Sequence, residues 1–331
     1  MSDPDSECGN INNPDTFTGL RVASVFVILV CATGGTLFPI LAKRSTWLHL
    51  PKSVFDFAKY FGSGVIIATA FIHLLSPALD ELSSDCLSPR WSEYPYALAL
   101  CLLSIMSIFI LELVAFRWGT SRLQKIHVTH DTHGHEVGSH AAHGPEHSPP
   151  AKAVDDPEAQ SIDLKPDDSA AAQIIGIAIL EFGVLLHSVL IGLTLAVDEG
   201  FKILFVVIIF HQTFEGLGLG SRLAFIKLPP RYNFVPIAAA LIYGISTPIG
   251  IAVGLGIRST YNPGSATASI VSGVLDSLSA GILMYTGLVE LLAHEFLFNK
   301  EMVNSSDGKL AYAIGSMLFG CGIMALLGKW A

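Results

Sequence analysis

Two histidines and a glutamate have the most telling spacing in this chain. His211 and Glu215 stand four residues apart, with Gln212 beside them, which puts them on one face of a helix. His187, followed by Ser188, lies upstream in the apolar run LEFGVLLHSVLIG. A short polar turn, Asp198-Glu199-Gly200, falls midway: His187 is 12 residues before Glu199 and His211 is 12 residues after it. Two antiparallel helices folded at that turn bring both imidazoles to one level. Two imidazoles and a carboxylate make a borderline-soft donor set that suits Zn²⁺, with Fe²⁺, Mn²⁺ or Co²⁺ as alternatives. Such a set leaves coordination positions open for water, as a site that must release its ion needs. Ser188 and Gln212 add weaker oxygen donors.

The elements that must position these residues are apolar helices over about 173–224. At ~1.5 Å per residue, the stretch from His187 to a helix end near Ala196 spans roughly 13 Å, about half of a hydrocarbon core. Polar ligands at that depth are costly, so they point to function. The bland reading of each histidine is a core imidazole hydrogen-bonded to a neighbour. Matched depth, and Glu215 one turn from His211, weigh against it. The glycines near them fit any packed bundle and decide nothing.

Composition agrees with a membrane setting. The chain is 51% hydrophobic and 14% charged, with mean hydropathy +0.55, against roughly 25% charged in soluble domains. The reading is an all-α polytopic membrane protein with eight transmembrane helices, not an enzyme. The spans fall near 18–42, 54–76, 95–118, the two helices of the hairpin, 235–257, 267–293 and 310–329. Residues 1–17 form a polar tail, 18–118 hold helices one to three, 119–170 a polar loop, and 171–331 helices four to eight. The acidic N-terminus lacks a basic leader segment. No basic patch for nucleic acid occurs.

An even number of spans puts both termini on one side. Loops on the opposite side carry 13 Lys and Arg against five on the terminal side, so the positive-inside rule puts both termini outside. Cys8 and Cys86 would share that oxidising side and could pair; the alternative is two free thiols. The loop 119–170 would be cytoplasmic. Seven of the twelve histidines lie in it: His127, His130, His133, His135, His140, His143 and His147. Interspersed Pro and Gly make this a flexible tract that can chelate metal weakly or serve as a plain tether.

Four further polar residues in the spans are candidate pathway groups. Glu181 shares the Ser188 face, two turns nearer the cytoplasm. Asp276 and Glu290 lie in span seven as pathway carboxylates or helix–helix contacts. His73 sits near the far end of span two, too close to the outer surface to join His187 easily.

Several stretches resemble one family. HSVLIG, FHQTFEGLGLG, ISTPIGIAVGLG and GILMYTGLVELLAHEF are similar to the ZIP (Zrt-/Irt-like) metal transporters, and AKYFGSGVIIATAFIHLLSPA and GCGIMALLGKWA to the fungal plasma-membrane zinc-uptake members. The resemblance covers all eight spans. It implies Zn²⁺ moving from outside to cytosol, extracellular termini, a site of His187, Ser188, His211, Gln212 and Glu215, and a block of spans including four and five sliding on a scaffold. Zn²⁺ is then the transported substrate, no catalytic cofactor is implied, and the partners are the metal ion and the bilayer. A homodimer is an open arrangement. Some members carry a Glu four residues after the span-four His and a second carboxylate-lined site. Here that position is Ile191, with Ser188 and Gln212 as neighbours and Ser246 and Thr247 in span six, a departure from the two-metal pattern.

Two other readings stay open on the residues alone. One is an intramembrane zinc hydrolase, although HExxH is absent because His294-Glu295 is followed by Phe298. The other is a metal-sensing receptor with the His-rich loop as sensor. No GxxxxGK[ST] occurs, which argues against an ATP-driven pump.

Overall fold

The computed structural model describes residues 17–45, 50–124, 166–198, 200–226, 228–257 and 265–330. Among these, eight helices are long and apolar enough to cross a membrane. They are α1 (Thr18–Arg44), α2 (Lys52–Leu82), α3 (Tyr96–Gln124), α4 (Pro166–Val197), α5 (Phe201–Phe225), α6 (Val235–Ile257), α7 (Ala266–Phe298) and α8 (Asp307–Leu327). A short helical turn, Lys300–Val303, links α7 and α8.

The outer surface is apolar. Phe26, Val30, Leu102, Leu103, Ile203 and Leu318 are all exposed, which a lipid-facing surface accommodates and water would not. The interior holds the polar residues instead. Backbone groups in a bilayer must be satisfied within the protein, and helices do this segment by segment.

The helices pack as two blocks. α1 lies along α5 and α6, and α4 along α6. In the other block α2 lies along α8 and α3 along α7, and the last turns of α2 also pack on α7. The blocks meet where α2 crosses α5 and α4 crosses α7. At the first crossing Gly62 and Gly218 face each other, and a Cβ on either would run into the other's backbone. Only glycines allow so close an approach.

Three boundaries differ from the sequence reading. The backbone of 119–124 and 166–170 is helical, as extensions of α3 and α4. α2 continues past Pro77 to Leu82, beyond the expected end near 76, and contains a π-helical segment, Thr69–Leu75. α7 likewise ends in a π-helical segment, Thr286–Phe298. Widened turns of this kind often mark functional positions. Cys86 is disulfide-bonded, and Cys31, Cys101 and Cys321 are free. Cys8, its expected partner, lies outside the described residues, as do the seven loop histidines at 127–147.

Candidate metal site

The α4–α5 hairpin is fixed at its turn by Arg21 of α1. This arginine is fully buried. Its guanidinium donates to the carbonyls of Leu195 (3.1 Å), Ala196 (3.0 Å) and Asp198 (2.7 Å). These are carbonyls that the end of α4 leaves without helical partners. The guanidinium also lies 4.4 Å from the ring centroid of Phe201 at the start of α5. One cation thus caps α4, complements its dipole and holds the first turn of α5.

With the turn fixed, His187 and His211 meet. Their Nε2 atoms are 3.2 Å apart, and Oε2 of Glu215 is 3.9 Å from His211 Nε2. His187, His211 and Glu215 form the one group among the described residues whose ligand atoms lie within 4.8 Å of one another and could hold a metal ion. His211 and Glu215 are 0% exposed and His187 3%, so bulk water does not compete for them.

Several donors here have no protein partner. Ser188 Oγ, His211 Nδ1, Gln212 Oε1 and Glu215 Oε1 are buried without a hydrogen bond. Buried polar groups are nearly always satisfied, so orphans clustered in one place suit a ligand. Gln212 is turned the other way at its nitrogen, where Nε2 donates to Thr247 Oγ1 of α6. Ile191, where a second-site carboxylate would stand, packs against an apolar cluster with Leu195 and Ile208.

His73 corrects the sequence reading. It is buried, and its ring centroid lies 4.7 Å from that of His211, edge to face. The longer α2 puts it nine residues before the helix end, roughly 13 Å deep. Its Nε2 is 2.9 Å from the carbonyl of Met324. A carbonyl only accepts, so Nε2 carries the hydrogen and Nδ1 keeps its lone pair.

The other candidates are spread along the bundle. Glu181 is buried, with Oε1 unpartnered. Asp276 is half-buried, one turn from Gly273, which packs on Glu81 and Leu82. Glu290 lies at the other end of α7, 3.7 Å from Arg222 of α5. There a cavity of about 160 Å³ is lined by Lys59, Ser63, Arg222, Glu290, His294 and Glu295 among others. Lys59 pairs with Glu295 across it.

Sequence reasoning overlooked Tyr243 and Arg21. Tyr243 is buried in α6, and its hydroxyl reaches both Gln212 and Glu215. Its signal was the spacing to Thr247, one turn on and on the same face. Arg21 is one of the five Lys and Arg of the terminal side in the charge count, and the carbonyls it reaches are more than 170 residues away.

The fold and this cluster define a polytopic membrane protein with a buried group of side chains between its helices that could hold a metal ion. The chain belongs to the ZIP zinc transporter family: the family model "ZIP Zinc transporter" matches residues 18–328. It is 42% identical over 338 residues to zinc-regulated transporter 1 of Saccharomyces cerevisiae, covering 95% of this chain and 88% of that protein. Zinc-regulated transporter 1 of Schizosaccharomyces pombe is 40% identical, with 95% and 85% covered. Fe(2+) transport protein 1 of Arabidopsis thaliana is 32% identical, with 94% and 86% covered. The protein is a zinc transporter, not an enzyme, so the hydrolase reading falls away.

Proposed function

We propose that this protein carries Zn²⁺ from outside into the cytosol across the plasma membrane, on His187, His211 and Glu215. Ser188 and Gln212 serve as weaker donors, and water fills the remaining positions. The observation that carries this reading is the 3.2 Å separation of the two Nε2 atoms. Two nitrogens at 2.0–2.1 Å from one tetrahedral Zn²⁺ stand about 3.3 Å apart. At that distance the two rings share a hydrogen bond, so one Nε2 must give up its hydrogen, with little movement of either ring, for both lone pairs to meet one ion.

The pathway reading follows the order of groups along the bundle. Asp276 stands on the outer side, His73 beside the site, and Glu181 and Glu290 toward the cytosol. The excess of basic residues on the loops opposite the termini supports that orientation, with both termini extracellular. The α1/α4/α5/α6 block holds all three ligands, and the glycine crossing of α2 with α5 suits movement of one block along the other. Fe²⁺ is a second candidate cargo, since the donor set accepts it and one relative is named for Fe²⁺ transport. The His-rich loop buffers or senses metal in this reading. Each chain holds a whole site, so a homodimer would join two independent conduits.

The test is flux of radioactive zinc into vesicles containing only this protein. Wild type should load the vesicles, whereas His211→Ala and Glu215→Ala should abolish uptake at unchanged protein density. Normal flux through either variant would sink the site assignment. No flux through the wild type would contradict uptake by this route.

A further inference from the structure

Glu215 has a built orientation that the ligand set alone does not explain. Its two oxygens are in different situations. Oε2 lies 3.3 Å from the hydroxyl of Tyr243, and Oε1 is buried without a partner. The phenol is placed with care. Tyr243 is 0% exposed, and its hydroxyl also lies 2.9 Å from the carbonyl of Gln212. A single O–H therefore sits between two acceptors on α5. It can reach them because residue 216 is glycine: a Cβ there would stand 3.1 Å from Tyr243 Cε1 and 2.7 Å from Thr36 Oγ1. α1, α5 and α6 converge on that one position.

We propose that Tyr243 is a positioning residue for zinc, whose hydroxyl holds Oε2 of Glu215, the oxygen 3.9 Å from His211 Nε2, and so fixes the carboxylate toward the ion. The inference rests on Glu215 being a zinc ligand. Three physical effects support it. A carboxylate buried away from water needs a donor whenever the ion is absent, and the nearest one here is the phenol. A held oxygen removes rotation of the carboxylate, so less order is lost on binding. Partners one bond beyond the ligands typically change metal affinity 10- to 100-fold when removed. The Gln212 carbonyl, 2.9 Å from the same hydroxyl, keeps the phenol against α5, so tyrosine and glutamate move together with the hairpin.

The test is zinc binding and uptake by Tyr243→Phe. This change removes one oxygen and leaves every apolar contact of the ring. The dissociation constant of the purified protein and the Km of surface-normalised uptake should both rise about 10-fold, with Vmax changed less than about twofold. Replacing Tyr243 by 4-aminophenylalanine returns a donor at the same place and should bring both values back to within about threefold of wild type. In the Glu215→Gln background, Tyr243→Phe should weaken binding no further, since the two act as one unit. An unchanged Km and dissociation constant in Tyr243→Phe would overturn the proposal. So would an equal further loss in the Glu215→Gln background, which would mean the ring acts through packing. A separate result, Glu215→Gln binding zinc as tightly as wild type, would overturn the ligand assignment itself, whatever Tyr243→Phe did.

Discussion

The two ends of the α4–α5 hairpin are each held by an arginine, and the two arginines are held very differently. Arg21, at the turn, donates to three backbone carbonyls within 3.1 Å and has no exposed surface. These three carbonyls belong to the block that carries the site. Arg222, toward the other end, makes a 3.7 Å ion pair with Glu290 of the other block. Its side chain is 24% exposed, and it borders a cavity of about 160 Å³. Hydrogen bonds from a charge to buried carbonyls are worth about 1.5–3 kcal/mol each. At 3.7 Å the Arg222–Glu290 pair is longer than a charge-assisted hydrogen bond and holds more weakly. The comparison teaches that the site is rigid within its own block and only lightly tied to the neighbouring block on the cavity side. A carrier needs that asymmetry: fixed ligands, and a contact that can let go.

Breaking the tight end should have the largest effect. Arg21→Met leaves the carbonyls of Leu195, Ala196 and Asp198 without their donor, at about 1–3 kcal/mol each. The expected outcome is little protein at the cell surface and a melting temperature lower by several degrees, read on detergent-purified material. Normal surface density and melting would show that the hairpin turn holds itself.

Protons probe the site between the two ends. Imidazole binds metal only when neutral, and its reference pKa is ~6.5. Uptake at buffered free zinc should therefore show a Km that climbs as pH falls from about 7 to about 4.5. A flat or falling Km over that range would mean that imidazole deprotonation does not govern binding.

The loose end should give a smaller and different change. Arg222→Gln should leave folding and Km intact and change Vmax about two- to threefold. The exchange Arg222→Glu with Glu290→Arg should recover part of the loss seen in either single variant. Unfolding of Arg222→Gln would contradict the contrast between the ends. Smallest of all should be deletion of residues 127–147, which have no apolar pattern to dock them. Transport should stay within about twofold of wild type, and its loss at normal surface density would make the loop part of the route.

Much of this was legible in the sequence, and the exceptions have physical causes. The eight helices were legible because each needs an uninterrupted apolar run. The pairing of His187 with His211 was legible because a hairpin is symmetric about its turn. The depth of His73 was not. A proline inside an apolar run reads as an end, and Pro77 suggested that α2 stops there. The widened turns of Thr69–Leu75 come directly before it, and the helix runs on. Arg21 and Tyr243 escaped for another reason. Their partners, Leu195 and Glu215, are distant in sequence, and an arginine at a span end or a tyrosine in an apolar helix ordinarily reads as a flank or core residue. Long-range polar contacts leave no local period.

The central claim is that zinc rests on two imidazoles and a carboxylate of a single block. X-ray absorption on the purified protein with one equivalent of zinc tests it directly. The account predicts a first shell of nitrogen and oxygen at about 2.0–2.1 Å, with outer-shell scattering from two imidazole rings that falls to one in His211→Ala. Sulfur at about 2.3 Å, or a spectrum unchanged in His211→Ala, would contradict it.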